Sequence, residues 1–507
     1  MKHKKILSAG ILMFCILLAL LTSCGKTAAD ISVESACIGA MTGSTGAAYV
    51  EKTYPSASLQ LYDAIPDAIL ALQTGRLDYV ITAYTTAVNF VRNNDDLEIL
   101  PGELTDEGAS IAIGKTNEQL LANISAVLER FRADGTLETI VNNWIKIERS
   151  DYVQTEIPRN TAGEVLTVGI AANREPMCFV KNNEIVGLDC ELIERIAFEL
   201  GMRVEYMDMQ FSALIAALES GKVDTVISNL TPTAERREVV NFTGEYFINP
   251  QVFLIAKTPE TAVVSGLTAF LAKTAESARR TFIVDNRWKL ILSGLRLTIL
   301  ISLSSLVAGS AIGALICGMR RSKIGIISGI AKTYIRVIQG LPAVTLLMLL
   351  FYVVLVKVDI DGILVAILGF SLNFAAYTAE MFRTGIEAVD KGQHEAAMAS
   401  GFSKRQIFML ITLPQSARHI LPVFKGEFIS MVKMTAFAGY IAVQDLTKAS
   451  DIIRSQTFES FFPLIATAAI YFIITYIFIT LLNVIEIKID PKRRKRLVRG
   501  VSVDDRA

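Results

Sequence analysis

Residues 395–414 read EAAMASGFSKRQIFMLITLP, and their chemistry is that of a docking surface, not of a reaction centre. Small residues at Ala396, Ala397 and Gly401 let a short helix seat closely in another protein's groove, with Lys404 and Arg405 supplying charge at the rim. A second suggestive run, Gly43-Ser44-Thr45-Gly46, sets a glycine turn before a helix, where amides without intrahelical partners favour anions. That turn lacks the lysine of a phosphate loop. The pattern Gly-x-x-x-x-Gly-Lys-Ser/Thr occurs nowhere in the chain, so it cannot bind ATP in the usual way. The cysteines Cys15, Cys24, Cys37, Cys178, Cys190 and Cys317 form no CxxC pair and no metal-type spacing, so no metal or other cofactor is expected. Cys178 and Cys190 could bridge, but two free thiols are the simpler reading. Glu380 and Lys433 fall in apolar stretches, where charge is costly: they face a transmembrane cavity or partner, or snorkel to water from a span end.

These groups must be positioned by several domains, because the chain has 507 residues, 52% of them hydrophobic. Its mean hydropathy of +0.43 marks a membrane protein. Lys+Arg and Asp+Glu are both 50, so net charge gives no case for nucleic acid. Residues 1–23 read as a secretory leader: Lys2, Lys4 and Lys5, an apolar run from Ile6 to Leu21, then Leu21-Thr22-Ser23-Cys24. The last four resemble a lipobox, with lipidation at Cys24; an uncleaved anchor is the alternative. Either places residue 25 onward outside the cytoplasmic membrane.

From Trp288 the apolar runs 290–317, 334–356, 361–380, 419–443 and 461–487 each approach the ~20 residues a crossing helix needs. The fourth is the weakest, interrupted by Lys425, Glu427 and Lys433. Five crossings from an outer N-terminus leave the C-terminus cytoplasmic. The basic residues agree, following spans one (Arg320, Arg321, Lys323), three (Arg383, Lys391, Lys404, Arg405) and five (Lys492 to Arg496), whereas the loops after spans two and four are expected to be short of positive charge.

The stretch Ser371–Ala397, SLNFAAYTAEMFRTGIEAVDKGQHEAA, closely resembles ABC importer permeases for glutamine, histidine, arginine and related solutes. Within it and beyond, Glu395, Ala396, Ala397, Gly401 and Pro414 resemble the cytoplasmic EAA loop of that family. The resemblance implies an all-α, five-helix type I permease domain over 288–490, preceded by an amphipathic lead-in at 263–287 and followed by a basic tail at 491–507. It also implies a separate ATPase subunit docked on the EAA loop, and a second permease copy, as a homodimer.

Ahead of the permease, strands and helices alternate at lengths that indicate α/β lobes with a parallel-type sheet. Residues 164–262 resemble the first lobe of an amino-acid-binding protein, and residues 25–114 resemble the second. Residues 115–150 resemble the closing helices that pack on lobe one, and 151–163 is a polar linker. The fold expected is therefore a bilobed periplasmic-binding-protein-like receptor in permuted order. Two tandem receptors, each missing a lobe, is the other reading of the same parts; permutation is tolerable where termini meet at a surface.

A free amino acid needs a guanidinium fork or backbone amides for its carboxylate, and an acceptor for its ammonium. In SNLTPTAERR, Arg236 occupies the family's carboxylate-clamping position, with Thr231 and the Asn229 amide beside it. Gly43, Ser44 and Thr45 would cover the same carboxylate from lobe two, and Phe211 matches the aromatic that stacks on the ligand in relatives. At the positions where relatives carry ammonium-binding Asp residues this chain has Ala171 and Ala83, and the first loop's aromatic is Arg174. Glu175 is the nearest candidate for the ammonium. The expected function is capture and translocation of polar amino acids or related small carboxylates, by a subunit that is not itself an ATPase. Rivals are a ligand-gated channel or sensory receptor, neither of which has an EAA loop, and an enzyme of dehydratase type, for which no acid–base pair stands out.

Overall fold

The computed structural model describes residues 32–145, 157–181, 184–257, 267–358, 360–459 and 461–489. The leader with Cys24, residues 151–156 of the linker and the tail 491–507 lie outside the described residues. The chain divides into two compact units, one of residues 1–207, 223–285 and 451–463, the other of 208–222, 286–450 and 464–507.

In the first unit the strands are β1 (Cys37–Met41), β2 (Ser58–Tyr62), β3 (Tyr79–Ala83), β4 (Leu97–Ile99), β5 (Gly108–Gly114), β6 (Val165–Ile170), β7 (Asn173–Arg174), β8 (Cys178–Lys181), β9 (Glu184–Val186), β10 (Arg203–Asp208), β11 (Thr225–Leu230), β12 (Val240–Ile248) and β13 (Gln251–Ala256). They form two five-stranded sheets, ordered β2-β1-β3-β13-β4 and β10-β6-β11-β5-β12, and a small sheet β7-β8-β9. β3 is buried throughout, as a central strand covered on both faces must be, and so reads YVITA without polar alternation.

The lobe boundaries expected at residues 114 and 262 differ from the sheets. β5 pairs antiparallel with β11 and β12, while β13 pairs antiparallel with β3 and β4, so each sheet takes one strand from the other's stretch of sequence. The chain crosses between sheets before β5 and after β12, and the crossings run side by side: Asn249 N donates to Glu107 O at 3.0 Å, and Leu104 N to Gln251 O at 2.9 Å. Two adjacent extended strands are what a hinge between lobes consists of.

The helices Glu118–Ala133, capped by Asn117, and Thr136–Ile145 follow β5. Trp144 Nε1 donates to Glu191 Oε2 at 2.7 Å, joining the second of them to helix Leu188–Glu199. Gly187 before that helix is required. Its φ is +135°, and a Cβ there would lie 2.3 Å from Met177 O. Cys178 and Cys190 are free thiols with sulfurs 3.3 Å apart.

The second unit is helical, with four stretches among the described residues long and apolar enough to cross a membrane: Val284–Arg320, Gly362–Glu387, Lys404–Ile441 and Phe461–Ile489. The span expected at 334–356 is not one straight helix. Gly325–Gly340 and Ala343–Val354 meet at 109°, because Pro342 has no amide to continue the first helix and biases Leu341 away from helical backbone. The span expected at 419–443 begins earlier, since Pro414 sits in the first turn of helix Leu413–Met434, where proline is tolerated. Its interrupting Lys425 is paired: Nζ donates to Asn483 Oδ1 at 2.8 Å and to Glu486, which is 3% exposed. Helices Trp288–Arg320 and Gly362–Glu387 pack closely because Gly309 and Gly313 face Ser371 and Thr378. A Cβ at either would meet atoms at 2.9 Å.

The loop after the fourth span does carry positive charge, contrary to expectation, in Lys448 and Arg454. Both are almost wholly buried against acids, Lys448 at 3.0 Å from Asp208 in the second unit and Arg454 at 2.7 Å from Asp67 in the first. Paired buried cations follow partner chemistry, not the bias of free loop charge.

Candidate functional site

The β11 strand and the helix that follows it bring one group of polar residues together in the first unit. Thr233 caps helix Ala234–Val239 by accepting from Arg236 N, which fixes the Arg236 side chain at the strand end. Arg236 Nη1 donates to Thr231 O at 2.7 Å and Nη2 to Gly43 O at 2.6 Å. One guanidinium thus bridges the strand end of one sheet and the glycine turn of the other. Burial lowers its pKa to about 10, partly offset by Glu107 and Glu235.

Gly43 has φ +72°, turning the chain into helix Thr45–Thr53, and Ser44 Oγ is spent as the N-cap, accepting from Ala47 N. Thr45 Oγ1 accepts from Gln251 Nε2 at 3.3 Å. Asn229 is less available than expected. It holds a left-handed backbone at φ 48°, its amide donates to Asp189 Oδ2, and its side-chain oxygen accepts from Asn249 Nδ2. Arg174 Nη1 donates to Ser228 O at 2.9 Å, and Asn89 Nδ2 donates to Glu175 O at 3.0 Å. Ala83 and Ala171 are buried at the sites expected of an ammonium-binding acid. Phe211 opens the turn Phe211–Ala213 and is counted with the second unit.

Sequence reading missed Asp189, Tyr246 and Asn249. Tyr246 OH donates to Asp189 Oδ1 at 2.7 Å, and Asn249 Nδ2 also reaches Thr85 Oγ1 at 3.0 Å. Burial raises the Asp189 pKa to about 7 against the opposing pull of its two donors and Arg174, and burial lowers Arg174 to about 10. The available signal was an acid in the first turn of Leu188–Glu199, a helix otherwise buried along most of its length.

In the second unit, Glu395, Ala396 and Ala397 lie on helix Lys391–Ala399, capped by Asp390. Gly401 is not on that helix. At φ +81° it ends it, with Phe402 N donating to Ala397 O, and Ser403 and Gln406 then form a capping box. Glu380 is paired with Arg320 and Arg383, each at 2.9 Å, and Lys433 is exposed.

A probable amino-acid ABC transporter permease, YckA of Bacillus subtilis, is 36% identical over 39% of this chain and 88% of its own length. The chain belongs to the amino-acid ABC importer permeases. A putative glutamine transport system permease, GlnP of Rickettsia bellii, is 31% identical over 92% of its length and 39% of this chain. Residues 305–495 of this ABC permease match the binding-protein-dependent transport system inner membrane component, and residues 166–396 match the bacterial extracellular solute-binding proteins of family 3. A solved amino acid ABC transporter with histidines is 35% identical over 43% of this chain and 98% of that chain, at a TM-score of 0.38. The ABC permease therefore carries a solute-binding region on the same chain and works with an ATPase partner.

Proposed function

We propose that this chain captures a small carboxylate-bearing solute, an amino acid or close relative, and passes it through a pathway built by its own helical half. The observation that carries this is Arg236 spanning Thr231 O and Gly43 O, since a guanidinium holding two carbonyls is poised to exchange them for the two oxygens of a carboxylate. Residues 25–262 act as one bilobed receptor in permuted order, hinged where residues 104–107 run beside 249–251. The receptor lies outside the membrane, with Cys24 as a lipid anchor, and the C-terminus lies in the cytoplasm. Two copies form the pathway, helix Lys391–Ala399 docks on a separate ATPase that hydrolyses ATP, and Glu380 and Lys433 lie near that route. Glu175 serves the ammonium where there is one.

The test is calorimetry on the full chain in nanodiscs against L-glutamine, L-cystine, octopine and glutarate. Saturable binding of at least one, lost in Arg236→Ala, supports the reading. No binding of any carboxylate, or binding indifferent to Arg236→Ala, overturns it.

A further inference from the structure

Residues 451–459 lie in sequence between the last two apolar helices, yet residues 451–463 are part of the first compact unit. Their side chains are held by two parts of that unit, the one built on β1–β4 and the small sheet β7–β9. Arg454, 2% exposed, donates from Nη2 to Asp67 Oδ1 at 2.7 Å, at the start of helix Ile65–Gln73, and from Nη1 to Asp451. The Phe458 ring stands edge-on to Phe90 at 5.1 Å, and its carbonyl accepts from Asn94 Nδ2 at 3.0 Å. Gln456 Nε2 reaches Val180 O on β8, in the small sheet that contains Arg174. The segment thus straps the β1–β4 side of the cleft to the β7–β9 side.

What the strap covers is a narrow space between these two sides. Ser455 and Phe458 line one space with Met41, Phe90, Arg174 and Glu175. Counted with its opening that space is about 350 Å³, but its enclosed part has room for little more than a water molecule. A solute the size of an amino acid does not fit beside the strap. Phe458 also holds a left-handed backbone at φ 51°, which a bulky side chain keeps only where its surroundings pay for the strain.

We propose that residues 451–459 are a self-occupying wall of the solute cleft, with Phe458 as the plug and Arg454–Asp67 as its latch, so that solute binding and strap docking compete. This rests on the cleft being the solute site. Loss of the latch then raises solute affinity instead of lowering it.

The experiment uses the full chain in nanodiscs, with L-glutamine and glutarate as calorimetric probes and hydrogen exchange as a ligand-free readout. The variants are Arg454→Gln, Asp67→Asn, both together, and Phe458→Gly, in which glycine keeps the left-handed chain path and only the ring is lost. Expected are binding roughly threefold to fivefold tighter in either latch variant and no further gain in the double variant. Phe458→Gly should bind about tenfold tighter. Exchange in helix Tyr84–Asn93, which carries Phe90, should quicken in every variant without solute. Unchanged or weaker binding in the latch variants overturns the competition. Unchanged exchange overturns the strap itself. If no form binds either probe, the solute assignment fails, while the exchange result still decides the strap.

Discussion

At the level of single residues, Arg236 and Asp189 do different work in one polar group. A charge-assisted fork on a carboxylate contributes about 1.5–3 kcal/mol, hence about tenfold to a hundredfold in affinity. Lysine keeps the charge but cannot satisfy two acceptors in one plane, so Arg236→Lys should weaken the best-bound solute of the panel by about tenfold or more. Arg237→Lys, the control, should change little. Equal losses in both variants remove Arg236 from the site. Asp189 is a pH-sensitive support. Its folded pKa is raised to about 7 by burial, so the folded chain holds a proton there that the unfolded chain has already lost above the ordinary carboxylate range. The stability this gives is fully present at low pH and is lost as pH rises through about 7. The unfolding temperature of the wild type minus that of Asp189→Asn should therefore be greatest near pH 4 and shrink toward pH 8. A difference independent of pH would show that Asp189 keeps an ordinary pKa.

At the level of elements, helix Lys391–Ala399 and the turn behind it are the proposed docking surface for the ATPase. Nothing lies within 4 Å of a Cβ built on Gly401, so a side chain there meets no obstacle; the penalty is in the backbone, at φ +81°. An L-residue in that region costs about 1–2 kcal/mol, and the turn to the Ser403 capping box should shift. Gly401→Val should abolish solute-stimulated ATP hydrolysis by the reconstituted complex and leave calorimetric solute affinity intact. Persisting stimulation would mean the ATPase docks elsewhere. The short helix through residues 395–397 was legible in sequence because small side chains at fixed spacing carry their own local reason. Gly401's place past the helix end was not, since small size fits a groove as well as a turn. The same limit explains the bent second span: hydropathy sums 334–356 as one run, and only Pro342 records the break. The cleft divides likewise. Arg236 stands out in the run SNLTPTAERR, with Thr231 and Asn229 beside it. Asp189, Tyr246 and Asn249 are joined to the group through contacts 20–164 residues apart, which no local pattern encodes.

At the level of the molecule, one copy of the helical unit holds no evident route for a polar solute among its described residues. Phe351, Phe370, Phe374 and Phe428 are almost wholly buried in it, and Gly309 and Gly313 bring two helices too close for anything to pass between them. The most apolar 18-residue stretch of helix Gly362–Glu387 is 61% buried, whereas that of Lys404–Ile441 is only 11% buried, and this second span carries the exposed Lys433. A charge on so open a helix is costly against lipid but not against a water-filled path between two copies. A closed two-fold pair would give that path the same lining from both sides. The purified complex should therefore contain two copies of this chain, measured by native mass spectrometry, with two receptor regions and two ATPases. In complexes holding one tagged wild-type copy and one Gly401→Val copy, solute-stimulated ATP hydrolysis should fall well below half that of the wild type, since both docking helices act on one path. Activity at half the wild-type value would show that each chain transports alone, and the pathway would have to be sought within a single helical unit.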